Sequence, residues 1–227
     1  MIGLLFALVC WALFFLSSHN LSVLVLDRET IATGAYWQLW TAQLTHFTLS
    51  QLIINSTIIA VMGLIIERFV RVYQVILSLL VAMPLMSGLV LLLMPNLTAY
   101  RGASGVAAVL VIMAVWFLIL ETKRFSLGYW AGVALLLLFL IKLAREAWLL
   151  FSPSVSHQMT TMRVDWLVQC AGVLIGLVAF NALHQIHTTK VYNEKQKRRR
   201  QAAAAASTVS MTAAAAQRRR AGKQWQR

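Results

Sequence analysis

Six stretches of this chain are too apolar and too long for the surface elements of a water-soluble domain. They run over about 2–17, 49–66, 72–94, 104–120, 127–143 and 166–183. Crossing about 30 Å of hydrocarbon takes roughly 20 apolar residues as a helix. An open chain in lipid can satisfy its backbone polar groups only as helix. Composition agrees: 60% of residues are hydrophobic and 12% are charged, against about 25% charged in soluble domains. The expected fold is therefore all-α, with six transmembrane helices. The first stretch opens without a basic n-region or a small-residue cleavage site, so it reads as a retained helix and not a signal peptide.

A net charge of +13 would suggest a nucleic-acid binder until it is located. Residues 188–227 hold eleven Lys/Arg and one acid, Glu194, so they supply ten of the thirteen charges. The chain then divides into a membrane domain, 1–187, and a basic, Ala-rich tail, 188–227. Basic clusters at 195–200 and 218–220 flank low-complexity sequence that buries little, and the tail is expected to be disordered. It reads as a solvated topology signal, with attraction to anionic lipid headgroups as the other reading. Nucleic acid is disfavoured, because beyond Trp225 no aromatic interleaving with the basic clusters supports it.

Loop charge also orients the chain. Arg68 and Arg71 follow the second stretch, Lys123 and Arg124 the fourth, and the tail the sixth. Basic loops stay on the cytoplasmic side, which puts both termini in the cytoplasm. Lys142 and Arg145 oppose this, although Glu146 stands beside them. The connection over 19–50, with Trp37, Trp40 and Phe47, is too aromatic for disorder and is expected to lie in the outer interface.

Polar residues inside spans are expensive and point to function. His46, Ser50, Gln51 and Asn55 gather at the entry to the second span, with Gln51 and Asn55 on one helix face. Ser104 lies between Gly102 and Gly105 at the mouth of the fourth span. Gln169 in the sixth precedes Gly172 and Gly176, whose spacing lets another helix approach closely. If the fourth span packs there, Gln169 should point near Ser104. Glycines beside Ser104 would free backbone N–H groups to face a reacting carbonyl. The plainer reading of Gly-Ala-Ser-Gly is a tight helix-packing motif, and that of Gln169 an interhelical hydrogen bond. Cys10 and Cys170 form neither a CxxC nor a zinc spacing, so no metal or cofactor is expected.

The segment from His46 to Asn55 resembles the rhomboid intramembrane-protease signature H-x-x-x-x-H-x-x-x-N, with Gln51 at the second His position. Gly102-Ala103-Ser104-Gly105 resembles the family's G-x-S-G, and Gln169-x-x-Gly172-x-x-x-Gly176 its last-helix A-H-x-x-G-x-x-x-G. Order and spacing agree over roughly 5–185, and Trp37-Gln38 resembles the family's first-loop Trp-Arg. Tyr100-Arg101, and Lys142 with Glu146, look most like rhombosortases, thought to process proteins with a C-terminal Gly-Gly-type sorting tail.

This resemblance implies roles. Ser104 would be the nucleophile; Gln51, Asn55 and the Ser104 N–H would form the oxyanion hole; His46 would be structural. The general-base position is Gln169, and an amide has no usable basicity. Ala108 stands where the family has an aromatic or histidine packed on the catalytic imidazole. The implied protein is a weak or inactive pseudoprotease that binds transmembrane segments of clients in the bacterial inner membrane. The alternative is an active endopeptidase with an atypical base.

Overall fold

The computed structural model describes residues 1–16, 21–97, 99–150 and 159–224. Its α-helices are α1 (Ile2–Leu16), α2 (Arg28–Ala32), α3 (Gln38–Thr41), α4 (Leu49–Ile66), α5 (Val72–Leu93), α6 (Ser104–Glu121), α7 (Leu127–Leu150) and α8 (Met159–Gln224). Two short strands, β1 (Leu26–Asp27) and β2 (Ala99–Tyr100), pair antiparallel, Leu26 opposite Tyr100 and Asp27 opposite Ala99.

Among the described residues, five helical stretches are long and apolar enough to span a membrane: α4, α5, α6, α7 and the 163–186 part of α8. The stretch expected to be the first span forms α1, a shorter apolar helix of 15 residues. At 1.5 Å per residue it is about 22 Å long. It packs on α4 where Gly3 crosses Gly63, with the Gly63 Cα 3.0 Å from where a Gly3 Cβ would stand. No larger residue fits either position without moving backbone.

The centre of the bundle is α6. Two thirds of its span is buried, against 39% for α4 and α5 and 11% for α7. That burial explains its composition: Val, Ala, Leu, Ile and Met on every face, as in a helix with neighbours all round. The sixth span lies directly against it. A Cβ on Gly172 would sit 2.6 Å from the Gly105 carbonyl and 2.9 Å from the Ala108 Cβ; one on Gly176 would sit 2.9 Å from the Val109 carbonyl. The small-residue spacing therefore does place the fourth and sixth spans in contact.

Segment 21–48 is built, not loose. Gln38, 1% exposed, accepts from the Asp27 N–H at 3.0 Å and the Thr30 hydroxyl at 2.9 Å, and donates to the Val23 carbonyl. Trp40 donates to the Leu80 carbonyl on α5 at 2.9 Å, and Gln43 donates to Ser87 at 3.2 Å. These bonds fix the segment to α5, while β1 fixes it to the strand just before Ser104.

Two expectations change. The fifth span does not stop at Leu143: α7 continues to Leu150, and Lys142, Arg145 and Glu146 lie within it. Hydropathy breaks at the first charge, but paired side chains let the helix run on. The tail, expected to be disordered, is helical to Gln224. Alanine has the highest helix propensity, and extension of an existing helix needs no new nucleus. By contacts the chain forms two units, 1–183 and 184–227.

Candidate active site

A tight turn positions Ser104. The chain leaves β2, turns at Gly102 and enters α6 with Ser104 as its first residue. Gly102 has φ +149, a backbone conformation that side chains rarely tolerate. Its N–H donates to the Ala42 carbonyl at 3.0 Å, and its own carbonyl accepts from the Tyr100 hydroxyl at 2.9 Å. The turn is thus held from both sides. Ser104 stands at a helix N-terminus, where first-turn N–H groups lack intrahelical partners and the dipole favours negative charge. An oxyanion formed there would be stabilised.

The entry to α4 reaches the same turn. Thr48 caps the helix by accepting from the Gln51 N–H at 3.2 Å. The Gln51 side chain accepts from the Phe47 N–H at 3.2 Å, and its Nε2 lies 2.8 Å from where a Gly102 Cβ would stand. Asn55, one turn further, is 7% exposed, and its Nδ2 has no hydrogen-bond partner among the described residues. A buried donor left unmade costs about 1–3 kcal/mol. Arg101 is tied to the same entry, its guanidinium 4.1 Å over the Phe47 ring centre.

His46 is 2% exposed. Burial, opposed by the nearby Leu44 carbonyl and helped by the charge of Arg101, lowers its pKa to about 4. Among the described residues neither ring nitrogen has a hydrogen-bond partner, the Leu44 carbonyl included. A neutral, buried imidazole fits a packing role. Tyr100 is also buried; desolvation first, and the charge of Asp165 second, raise its pKa well above the ordinary phenol value.

The residues on α8 differ from expectation. Gln169 is 3% exposed but turns to α7. Its Nε2 donates to Glu146 Oε2 at 2.9 Å and to the Asp165 carbonyl at 3.2 Å, and its Oε1 accepts from Lys142 Nζ. Both amide hydrogens are committed, and the described hydrogen bonds include none between Gln169 and Ser104. The cause is chemical fit. Lys142 and Glu146 form an i,i+4 ion pair at 2.6 Å, and an amide can satisfy the ammonium and the carboxylate at once. The pair lies in the C-terminal part of α7.

Ser104 has a different partner. Its Oγ donates to Asp165 Oδ1 at 3.2 Å. The same carboxylate oxygen lies 3.8 Å from the position of a Gly102 Cβ, on the Gln51 side of the turn. The structure therefore gathers Gln51, Gly102, Ser104 and Asp165, seats Gly105, Ala108 and Gly172 behind them, and leaves Gln169 engaged elsewhere. Sequence reasoning missed Asp165 as a partner. A signal existed: 165, 169, 172 and 176 follow helical spacing and share a face.

Among the described residues, no group of three or more His, Cys, Asp or Glu could hold a metal ion. The family model described as Rhomboid domain matches residues 33–186. No curated protein matches the chain significantly.

Proposed function

Because this chain belongs to the rhomboid family, we propose that it is a rhombosortase-like member that lacks the Ser–His proton relay and binds transmembrane segments of client proteins. The observation that carries this reading is the clasp on Gln169, whose amide is held by Lys142, Glu146 and the Asp165 carbonyl. An amide cannot accept the serine proton. A positioned general base contributes about 10²–10⁴-fold, and partners that act as a unit lose more when one is removed. Proteolysis at a family rate is therefore not expected, while the bundle that receives membrane segments is intact.

Gln169→His tests the reading. If the base is the missing part, this single change creates cleavage of a transmembrane reporter, and Ser104→Ala abolishes it. Photocrosslinkers on the exposed α7 face, at Leu137 or Leu138, should capture membrane segments in the unaltered protein. Vigorous reporter cleavage by the unaltered protein would overturn the reading.

A second reading is favoured by one observation. The Ser104 hydroxyl is not orphaned but donates to a carboxylate. On this reading the chain is an intramembrane serine endopeptidase acting on C-terminal sorting tails of membrane or exported proteins. A serine-directed fluorophosphonate separates the two: labelling lost in Ser104→Ala supports the second, and an unlabelled protein supports the first.

The proposed setting is the bacterial inner membrane with both termini cytoplasmic, as basic loops favour. Cysteine accessibility at the two ends tests it. The basic tail is proposed to meet anionic headgroups, at about 1 kcal/mol per basic residue near the surface. Removing 188–227 should then weaken retention on phosphatidylglycerol-rich supports and not on neutral ones.

A further inference from the structure

We infer that Asp165 is the proton acceptor for Ser104, so that any acyl-transfer chemistry left in this chain runs through a Ser104–Asp165 pair and not through position 169. The inference deepens the second reading above and rests on it.

Helix register carries the argument. Gly105 faces Val168, Gly172 faces Gly105 and Ala108, and Gly176 faces Val109 and Ile112. These contacts advance together, so α6 and this part of α8 run parallel at a fixed offset. One turn before Gln169, that offset brings residue 165 to the first residue of α6. Close packing at three glycines leaves the pair little freedom to separate. The hydroxyl already points at the carboxylate, at 3.2 Å, within the reach a general base requires. The groups that act on Asp165 from neighbouring elements are Tyr100 beside the turn, and Lys142 and Glu146 on α7.

The step balances. As Oγ bonds to the substrate carbonyl carbon, its proton passes to Asp165 Oδ1 and the carbonyl π pair moves to oxygen. Collapse breaks the C–N bond, and the carboxylic acid returns the proton to the leaving amine. Water then attacks the acyl group, gives a proton to Asp165 and releases Oγ, which takes that proton back. With a fluorophosphonate, the Oγ–P bond forms, fluoride leaves, and the proton held by Asp165 exchanges with solvent.

The test is the rate of fluorophosphonate labelling on the full-length protein in detergent, followed by in-gel fluorescence. Asp165→Asn keeps the shape and can still accept a hydrogen bond, but it is not a base. Its labelling should fall by about 10²-fold, with Asp165→Glu recovering part. Labelling of the unaltered protein should decline in acid, where a carboxylate takes up a proton, and Asp165→Asn should lose that limb. Size exclusion and melting temperature confirm that each variant is folded; if Asp165→Asn is not, Asp165→Glu and the pH limb decide. Labelling of Asp165→Asn within twofold of the unaltered protein, or an acid limb that persists in Asp165→Asn, overturns the role of Asp165 alone. An unaltered protein that takes no label at any pH overturns the endopeptidase reading and this inference with it.

Discussion

Replacing Gly172 by alanine tests whether the α6–α8 seam is as tight as the structure has it. The added Cβ would stand 2.6 Å from the Gly105 carbonyl oxygen and 2.9 Å from the Ala108 Cβ. Neither neighbour is the flexible end of a long side chain, so a helix must shift. Overpacking of this kind costs about 1–3 kcal/mol. Helix propensity works the other way, since alanine is favoured over glycine by about 0.5–1 kcal/mol in a helix. Gly88 separates the two effects, because a Cβ there meets nothing within 4 Å. Gly88→Ala should therefore leave the melting temperature unchanged or raise it. Gly172→Ala should melt about 2–12 °C below Gly88→Ala, since the propensity term is common to both and the overpacking converts at roughly 2–4 °C per kcal/mol for a protein of this size. Ala108→Gly added to Gly172→Ala should recover part of the loss, by removing one of the two clashes. The assay is thermal unfolding in one detergent, read by tryptophan fluorescence. If Gly172→Ala melts with Gly88→Ala, the close approach of α6 and α8 is wrong, and the register that sets Asp165 beside Ser104 fails with it.

Three further predictions follow the same logic. Glu146→Leu leaves the Lys142 ammonium without its carboxylate and Gln169 with the Asp165 carbonyl as its remaining acceptor, and should lower stability more than the double change Lys142→Met with Glu146→Leu, because removing one partner strands the other charge; melting temperatures decide. His46 has a folded-state pKa of about 4, below the unfolded value of 6.5. The unfolded chain therefore binds the proton more readily, so stability falls as pH drops from about 6.5 towards 4, by up to about 1.4 kcal/mol per pH unit; His46→Phe should flatten that slope in pH-dependent melting. Gly102→Ala forces a side chain onto φ +149 and against Gln51 Nε2; it should cost about 1–3 kcal/mol and abolish any labelling of Ser104, and a variant with ordinary stability and reactivity would contradict the turn geometry.

Much of this protein is legible in its sequence, and the physics says which part. Apolar length against membrane thickness is a local property, and it found α4 and α5 at nearly their full extent. Glycine spacing is local too: Gly172 and Gly176 announce a close helix contact whatever the partner, and Gly102-Ala103-Ser104-Gly105 announces a turn into a helix. The family likewise follows from motif order along the chain. Local rules fail where charge is paired in space. Hydropathy ended the fifth span at Leu143, because it cannot see that Lys142 and Glu146 neutralise each other one turn apart. Composition left the tail disordered, although polyalanine continuing a helix stays helical.

The partners of Ser104 and Gln169 belong to tertiary structure alone. Residues 165 and 169 share a face of α8, and nothing along the chain says which one meets Ser104. That is settled by the offset between α6 and α8, fixed where Gly105, Gly172 and Gly176 let backbones touch, and by the Lys142–Glu146 pair, which offers Gln169 a donor and an acceptor together. Sequence determined that a serine stands at a helix mouth between two glycines. Only the packing of three helices decided that a carboxylate stands beside it.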